Sequence, residues 1–131
     1  MYLLMTAISI HLLVGVFWAG STFMAARNAV AGETVVLPQL GGAVLVVASG
    51  AYLWSVSHAG RFDLSEQVLA LGAAAALLAI LAQATLGLAA MRALRRDPAE
   101  GGARSRMLFA QRIAAALLAV TIVCMGISHY V

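Results

Sequence analysis

Three histidines are the side chains of this chain that could do chemistry near neutral pH. They are His11, His58 and His129. A neutral imidazole is a ligand for haem iron, copper and zinc, and histidine changes its charge between about pH 5 and 8. We therefore treat all three as candidate ligands of a haem b or of a metal ion such as copper. The simpler alternative is that each histidine is a polar tip at a membrane surface.

Two of the histidines share a helical face with a glycine and a tryptophan. The groupings are His11, Gly15 and Trp18, followed by Thr22, and Gly50, Trp54 and His58. Steps of three and four residues place side chains on one face of a helix. A ring nitrogen, a gap and a large aromatic side chain are typical of a cavity whose walls the tryptophans form. The alternative is that the glycines allow close helix packing and the tryptophans fill gaps or anchor at an interface.

Arg61 is a further candidate because it lies three residues beyond His58. Arginine binds carboxylates well, so Arg61 could pair with the propionates of a bound haem. Otherwise it is a solvated arginine on the same side of the membrane.

The elements that carry these residues are long apolar segments. Of the 131 residues, 63% are hydrophobic and 10% are charged, whereas a soluble domain has about 25% charged residues. Four runs reach the roughly 20 residues that a membrane-spanning helix needs: Leu3–Ala26, Val36–Ser57, Val68–Met91 and Leu108–His129. None of them alternates apolar and polar residues as barrel strands do. The sequence predicts an all-α integral membrane four-helix bundle, a single transmembrane domain over residues 1–131.

The connections between the spans predict where the helices begin and which way they point. Pro38 fits the first turn of the second helix, and Ser65 fits the cap of the third. Residues 92–107 contain five arginines and an Asp-Pro and Gly-Gly break, which indicates a solvated loop. Because arginine-rich short loops stay inside, residues 27–35 and 92–107 are expected to be cytoplasmic. Both termini then lie outside a bacterial inner (plasma) membrane.

This orientation places all three histidines toward the outer face. His58 and His129 lie at helix ends, whereas His11 lies about eight residues into its span, or ~12 Å deep at 1.5 Å per residue. An ionisable side chain within a span is costly and marks a candidate functional site. His11 is therefore the histidine with the strongest energetic argument.

Polar and small residues inside the spans limit the function further. All five acidic residues lie in loops or at helix ends, whereas proton- or cation-coupled transporters usually need a carboxylate in mid-membrane. A small-solute transporter is therefore disfavoured.

The third span carries a face of small residues around Gln83, which we expect to be an interhelical hydrogen-bonding group. Cys124 is expected to be buried, and Gln111 and Arg112 are expected to reach lipid phosphates.

The first helix, with HLLVGVFWAG at residues 11–20, resembles the opening helix of a group of small bacterial membrane proteins. Their histidine is followed about seven residues later by a Trp-x-Gly motif. The group includes the CopD-like copper-resistance membrane proteins and the HemJ-type protoporphyrinogen oxidases. The segment VASGAYLW at residues 47–54 resembles the second helix of the same group, and SHY at residues 128–130 resembles endings common there.

The resemblance implies that His11 is the histidine associated with haem or metal. It implies a membrane oxidoreductase or a metal-trafficking protein as the class. The chain departs from HemJ-type enzymes, which also use a lysine in a later helix, because it has no lysine. It departs from CopD-like proteins in having about half their number of helices. These departures argue against protoporphyrinogen oxidation and against copper import by this chain alone.

Together these features predict a small integral membrane protein that binds haem b or a metal ion near the outer face. Its role would be redox chemistry or trafficking. The alternative is a structural or accessory membrane subunit without a cofactor. Its expected partners are the lipid bilayer, further copies of itself or a larger membrane complex, and no feature indicates nucleic acid.

Overall fold

The computed structural model describes residues 1–57, 63–128 and 130–131, and their side chains except those of residues 29–33 and 57. Within these ranges the chain forms helices and no strand. The helices are α1 (Tyr2–Ala25), α2 (Ala29–Ser57), α3 (Leu64–Ala82), α4 (Leu88–Arg96) and α5 (Gly101–Ser128). A π-helical turn, Gln83–Gly87, joins α3 to α4, so Leu64–Arg96 forms one span.

Four helical segments are long and apolar enough to cross a membrane. They are Tyr2–Ala25, Thr34–Val56, Leu64–Arg96 and Gly101–Ser128. Large apolar side chains cover their outer surfaces, as hydrocarbon requires of a lipid-facing helix. The predicted all-α four-helix bundle is confirmed, and these segments indicate a multi-pass membrane protein.

The third connection is much shorter than the sequence predicted. The α4 helix continues to Arg96 and α5 begins at Gly101, so most of the predicted loop over residues 92–107 is helical. Arginine is a good helix former, and the arginines therefore mark where a span leaves the membrane, not where its helix ends. The break comes at Asp97, whose backbone is extended, because the residue before a proline disfavours helical geometry.

Two predicted helix starts are also wrong. The α2 helix begins at Ala29, which places Pro38 inside the helix and not in its first turn. The cap of α3 is Asp63, whose carboxylate accepts a hydrogen bond from the Glu66 amide at 3.2 Å. The Ser65 hydroxyl instead donates to the carbonyl of Ser128 at 2.8 Å. This bond ties the start of α3 to the end of α5.

The α1 helix packs mainly against α2, and α3 packs mainly against α5. At Gly72 a Cβ would lie 2.9 Å from the Cβ of Cys124 and 3.3 Å from the carbonyl oxygen of Thr121. The Thr121 hydroxyl donates to the Gly72 carbonyl at 2.9 Å. The small-residue face of the third span therefore packs within the bundle, and Cys124 is buried there as expected.

The core that all four spans share extends from the middle of the spans to one end of the bundle. That end is called the arginine end here, and it carries Arg27, Arg92, Arg95, Arg96, Arg104, Arg106 and Arg112. Toward the opposite end, none of residues 1–17 or 47–56 is buried, although Val14 still packs against the core. The buried parts of α1 and α2 thus lie in the middle of the spans and toward the arginine end.

Candidate functional site

His11 lies in the interface between α1 and α2. Its Nδ1 atom is 3.1 Å from the carbonyl oxygen of Val46 and 3.0 Å from the hydroxyl oxygen of Ser49. The ring is half-buried. Gly50 leaves room for it, because a Cβ at that position would lie 3.1 Å from Cε1 of His11. The small residues of α2 therefore form the surface against which the imidazole packs.

These contacts determine which nitrogen of neutral His11 carries the proton. A carbonyl oxygen can only accept a hydrogen bond, so Nδ1 is protonated and donates to Val46. The Ser49 hydroxyl already donates to the carbonyl of Leu45 at 2.8 Å and does not need Nδ1 as an acceptor. The lone pair is then on Nε2, to which no described residue hydrogen-bonds.

This arrangement is typical of a histidine that binds a metal. A ligating histidine usually donates its other ring N–H to a carboxylate, a backbone carbonyl or water, which fixes the tautomer and orients the ring. The Val46 carbonyl has this relation to Nδ1 of His11. Nε2 of His11 is therefore the atom in the described part of the chain that is best prepared to ligate.

The other two histidines and Arg61 lie outside the described residues, so the convergence of His58, His129 and Arg61 on His11 stays a prediction. Among the described residues, no group of three or more His, Cys, Asp or Glu could hold a metal ion. Closed structural zinc sites take four such ligands, whereas haem iron needs only one or two axial side chains. Among the described residues His11 is the one histidine, and the choice between a haem and a metal ion stays a prediction.

The two tryptophans differ in position. Trp54 is half-buried on α2, whereas Trp18 is 2% exposed and its Nε1 donates to Oε1 of Gln83 at 2.8 Å. The indole of Trp18 therefore points into the bundle core and not into a space beside His11. A Cβ on Gly15 would meet no described atom within 4 Å outside its own helix, so there is open space at Gly15, and a ligand cavity between His11 and Trp18 stays a prediction.

Trp18 belongs to a buried polar group that joins all four spans. This group, the glutamine cluster, consists of Trp18 and Thr22 of α1, Gln39 of α2, Gln83 of the π turn and Gln111 of α5. All three glutamines are 0% exposed. Each amide in such surroundings must find a partner, because an unsatisfied polar group in hydrocarbon costs several kcal/mol.

The three glutamine amides satisfy one another. Nε2 of Gln83 donates to Thr22 at 3.0 Å and to Oε1 of Gln111 at 3.1 Å. Nε2 of Gln111 donates to Oε1 of Gln39 at 2.9 Å, and Nε2 of Gln39 donates back to Oε1 of Gln111 at 3.3 Å. Every amide group both donates and accepts. The cluster is a closed, uncharged network that holds the four spans together.

Part of this cluster was predicted from the sequence. Gln83 was expected to bond between helices, and that prediction is confirmed. Gln111 was expected to reach lipid phosphates, which is wrong because Gln39 and Gln83 bury it completely. Gln39 was not singled out. The available signal was that three apolar spans each carry one glutamine, and an amide within a span needs a partner on another helix.

Gln83 also begins the π turn. At the end of this turn the Leu88 amide donates to the Gln83 carbonyl, five residues earlier. Single π turns within α-helices are rare and often occur at functional sites. Here the turn starts at the residue that connects the third span to both α1 and α5.

No family model, curated protein or solved structure matches this chain. The resemblance of the first two helices to CopD-like and HemJ-type proteins therefore stays a prediction.

Proposed function

We propose that this is a small integral membrane protein that binds one haem b through Nε2 of His11, for electron transfer or for haem or metal trafficking. The observation that supports the proposal is the Nδ1 hydrogen bond to the Val46 carbonyl, which leaves the Nε2 lone pair available. Bound haem would supply one-electron redox chemistry. A copper ion at the same nitrogen is the related choice that the CopD-like resemblance suggests.

The other ligands and the orientation belong to the same proposal. Either His58 or His129 would supply the second ligand of the haem iron, and Arg61 would pair with the propionates. Seven of the eight arginines lie at the arginine end, which the positive-inside rule assigns to the cytoplasm of a bacterial inner membrane. His11 and both termini would then lie toward the outer side.

The visible spectrum of detergent-purified protein, alone and during titration with haemin, tests the proposal. We expect a Soret band that is lost in His11→Ala. The matched control is Ser9→Ala, because the Ser9 hydroxyl bonds only to its own helix, at the Met5 carbonyl. A protein that binds no haemin and carries no stoichiometric copper, iron or zinc would refute the cofactor proposal.

The second axial ligand is identified by the same spectrum. We expect either His58→Ala or His129→Ala to convert six-coordinate haem to five-coordinate haem without releasing it. Release of haem by His58→Ala together with retention by His11→Ala would show that His11 is not the principal ligand.

Cysteine labelling tests the proposed orientation. In a Cys124→Ser background, Arg95→Cys and Arg61→Cys should react with an impermeant maleimide from opposite sides of the membrane. Reaction from the same side would contradict the assignment of the arginine end to the cytoplasm.

A second candidate function is a structural or accessory subunit without a cofactor. The observation that favours it is the exposure of the first half of α1, where none of residues 1–17 is buried. A further copy or another membrane subunit would cover that surface. Native mass spectrometry from mild detergent distinguishes the two functions, since a colourless, metal-free complex with a defined partner supports this candidate and opposes the first.

A further inference from the structure

The arginine end carries far more positive charge than its acidic residues neutralise. Within the described side chains, only Glu100 forms an ion pair, at 3.5 Å from Arg106. The Asp97 carboxylate, in the connection between α4 and α5, accepts a hydrogen bond from the Ala99 amide. Most arginines at this end therefore face solvent, and Arg27 lies beside an apolar surface.

Arg112 and Arg27 are brought together by the end of α1. Nε of Arg112 donates to the carbonyl oxygen of Ala26 at 3.0 Å, and Arg27 is the next residue in the chain. The remaining N–H groups of Arg112 have no partner among the described residues, and neither does the guanidinium of Arg27. Two guanidinium groups with free donors thus lie at the same helix end.

Apolar side chains adjoin Arg27, at the helix end that Arg112 also reaches. Phe23, Met24, Arg27 and Asn28 line one surface pocket. Phe23 and Met24 are 40% and 52% exposed, on the part of α1 that runs toward the middle of the span. The pocket therefore has a cationic rim at the helix end and an apolar wall that extends along the span.

We propose that this pocket binds an anionic phospholipid, with its phosphate on Arg27 and Arg112 and an acyl chain along Phe23 and Met24. Guanidinium groups bind phosphate through charge-assisted, paired hydrogen bonds. Basic pockets between membrane helices are known to bind anionic headgroups. A free phosphate would use the arginines but would leave the apolar wall uncovered, which is why we commit to the lipid.

The test compares lipids that remain bound after purification from vesicles of mixed phosphatidylglycerol and phosphatidylcholine, measured by mass spectrometry. We expect phosphatidylglycerol to be enriched on the natural protein, with enrichment falling at least about ten-fold for each arginine removed in R27Q/R112Q, because its charge-assisted hydrogen bonds to the phosphate are lost. The matched control is R95Q/R96Q, which removes the same charge from the last turn of α4. It should lose clearly less, since it weakens only the general attraction to an anionic surface.

Three outcomes would overturn the proposal. Equal losses in R27Q/R112Q and R95Q/R96Q would show a general electrostatic attraction and not a site. Unchanged enrichment in R27Q/R112Q would show that the lipid binds elsewhere. Displacement of phosphatidylglycerol by inorganic phosphate as effective as by a short-chain phosphatidylglycerol would show a site for phosphate alone.

Folding is controlled by the single variant R27Q. The Arg27 side chain makes no hydrogen bond with a described residue, so R27Q should keep the natural circular dichroism spectrum and still lose at least about ten-fold in enrichment. A natural spectrum with full enrichment in R27Q would exclude Arg27 from the site.

Discussion

Two levels of the bundle use polar side chains in different ways. At the glutamine cluster all four spans meet, and Gln39, Gln83 and Gln111 are 0% exposed and bonded to one another. The described hydrogen bonds of His11 all go to α2, through one ring nitrogen, while the other ring nitrogen has no described partner. The polar groups that assemble the bundle are thus separate from the group that is available to a ligand.

The physical reason for the difference lies in what joins helices within lipid. Hydrocarbon tails are as apolar as leucine, so small residues and interhelical hydrogen bonds bring helices together. The glutamine cluster provides hydrogen bonds among the four spans, and Gly72 allows close packing of α3 against α5. The first half of α1 offers few such contacts to α3 or α5. Lipid or a ligand can therefore adjoin it.

The largest effect is expected from Gln83→Leu, which breaks the glutamine cluster. This change removes three hydrogen bonds, to Trp18, Thr22 and Gln111. At roughly 0.6 kcal/mol for each interhelical bond, it should lower the free energy of unfolding by about 2 kcal/mol, as measured by denaturation in mixed micelles. The control is Thr85→Ala, whose hydroxyl bonds only within its own helix. Equal effects of the two changes would contradict a network specific to Gln83.

A smaller effect is expected at the α3–α5 contact. Gly72→Ala places a Cβ 2.9 Å from the Cβ of Cys124 and 3.3 Å from a backbone oxygen, so the two helices must separate. Overpacking costs about 1–3 kcal/mol, and the better helix propensity of alanine offsets up to about 1 kcal/mol. The net loss should be about 1 kcal/mol in the same assay. Gly126→Ala, which meets no described atom within 4 Å, should not destabilise the protein.

The helix class and the number of spans could be predicted from the sequence because long apolar runs that do not alternate with polar residues cross a membrane as helices and not as barrel strands. The burial of Gln111 could not, because helical periodicity gives the direction of a side chain but not the depth at which neighbouring helices cross. Trp18 shows the same limit. It shares a face of α1 with His11, yet the indole meets the third span while the imidazole meets α2.

A third change affects the contact between His11 and α2. It should separate the effect on the free energy of unfolding from the effect on ligand binding. Gly50→Ala brings a Cβ to 3.1 Å from Cε1 of His11, which must shift the ring away from Val46. Helix propensity compensates in part, so the free energy of unfolding should change by no more than about 0.5 kcal/mol. Haemin affinity should nevertheless fall. Gly41→Ala, which meets no described atom within 4 Å, should leave haemin affinity unchanged, and equal affinities in the two variants would contradict the role of Gly50.

The smallest effect is expected from Ser49→Ala. The variant removes the hydroxyl 3.0 Å from Nδ1 of His11 but leaves the Val46 carbonyl in place. We expect His11 to stay protonated on Nδ1, with a stability change within about 0.5 kcal/mol. The nitrogen-15 chemical shifts of the imidazole report the tautomer. A proton found on Nε2 in the natural protein would remove the argument for that atom as a ligand.

The π turn in the third span has a consequence for how this protein can change in length. Its hydrogen-bonded ring holds one more residue than an α-helical ring, and each α-helical residue rotates the chain by about 100°. Deleting one residue between Gln83 and Gly87 would turn this ring into an ordinary α-helical one, and Gly72 and Leu94, both buried now, would keep facing the same interior. A deletion in the regular helix on either side of the turn would instead rotate α3 relative to α4 by about 100°. The centre of this span can therefore lose one residue at the π turn, whereas other changes in its length have to be made at its two ends, where it meets water.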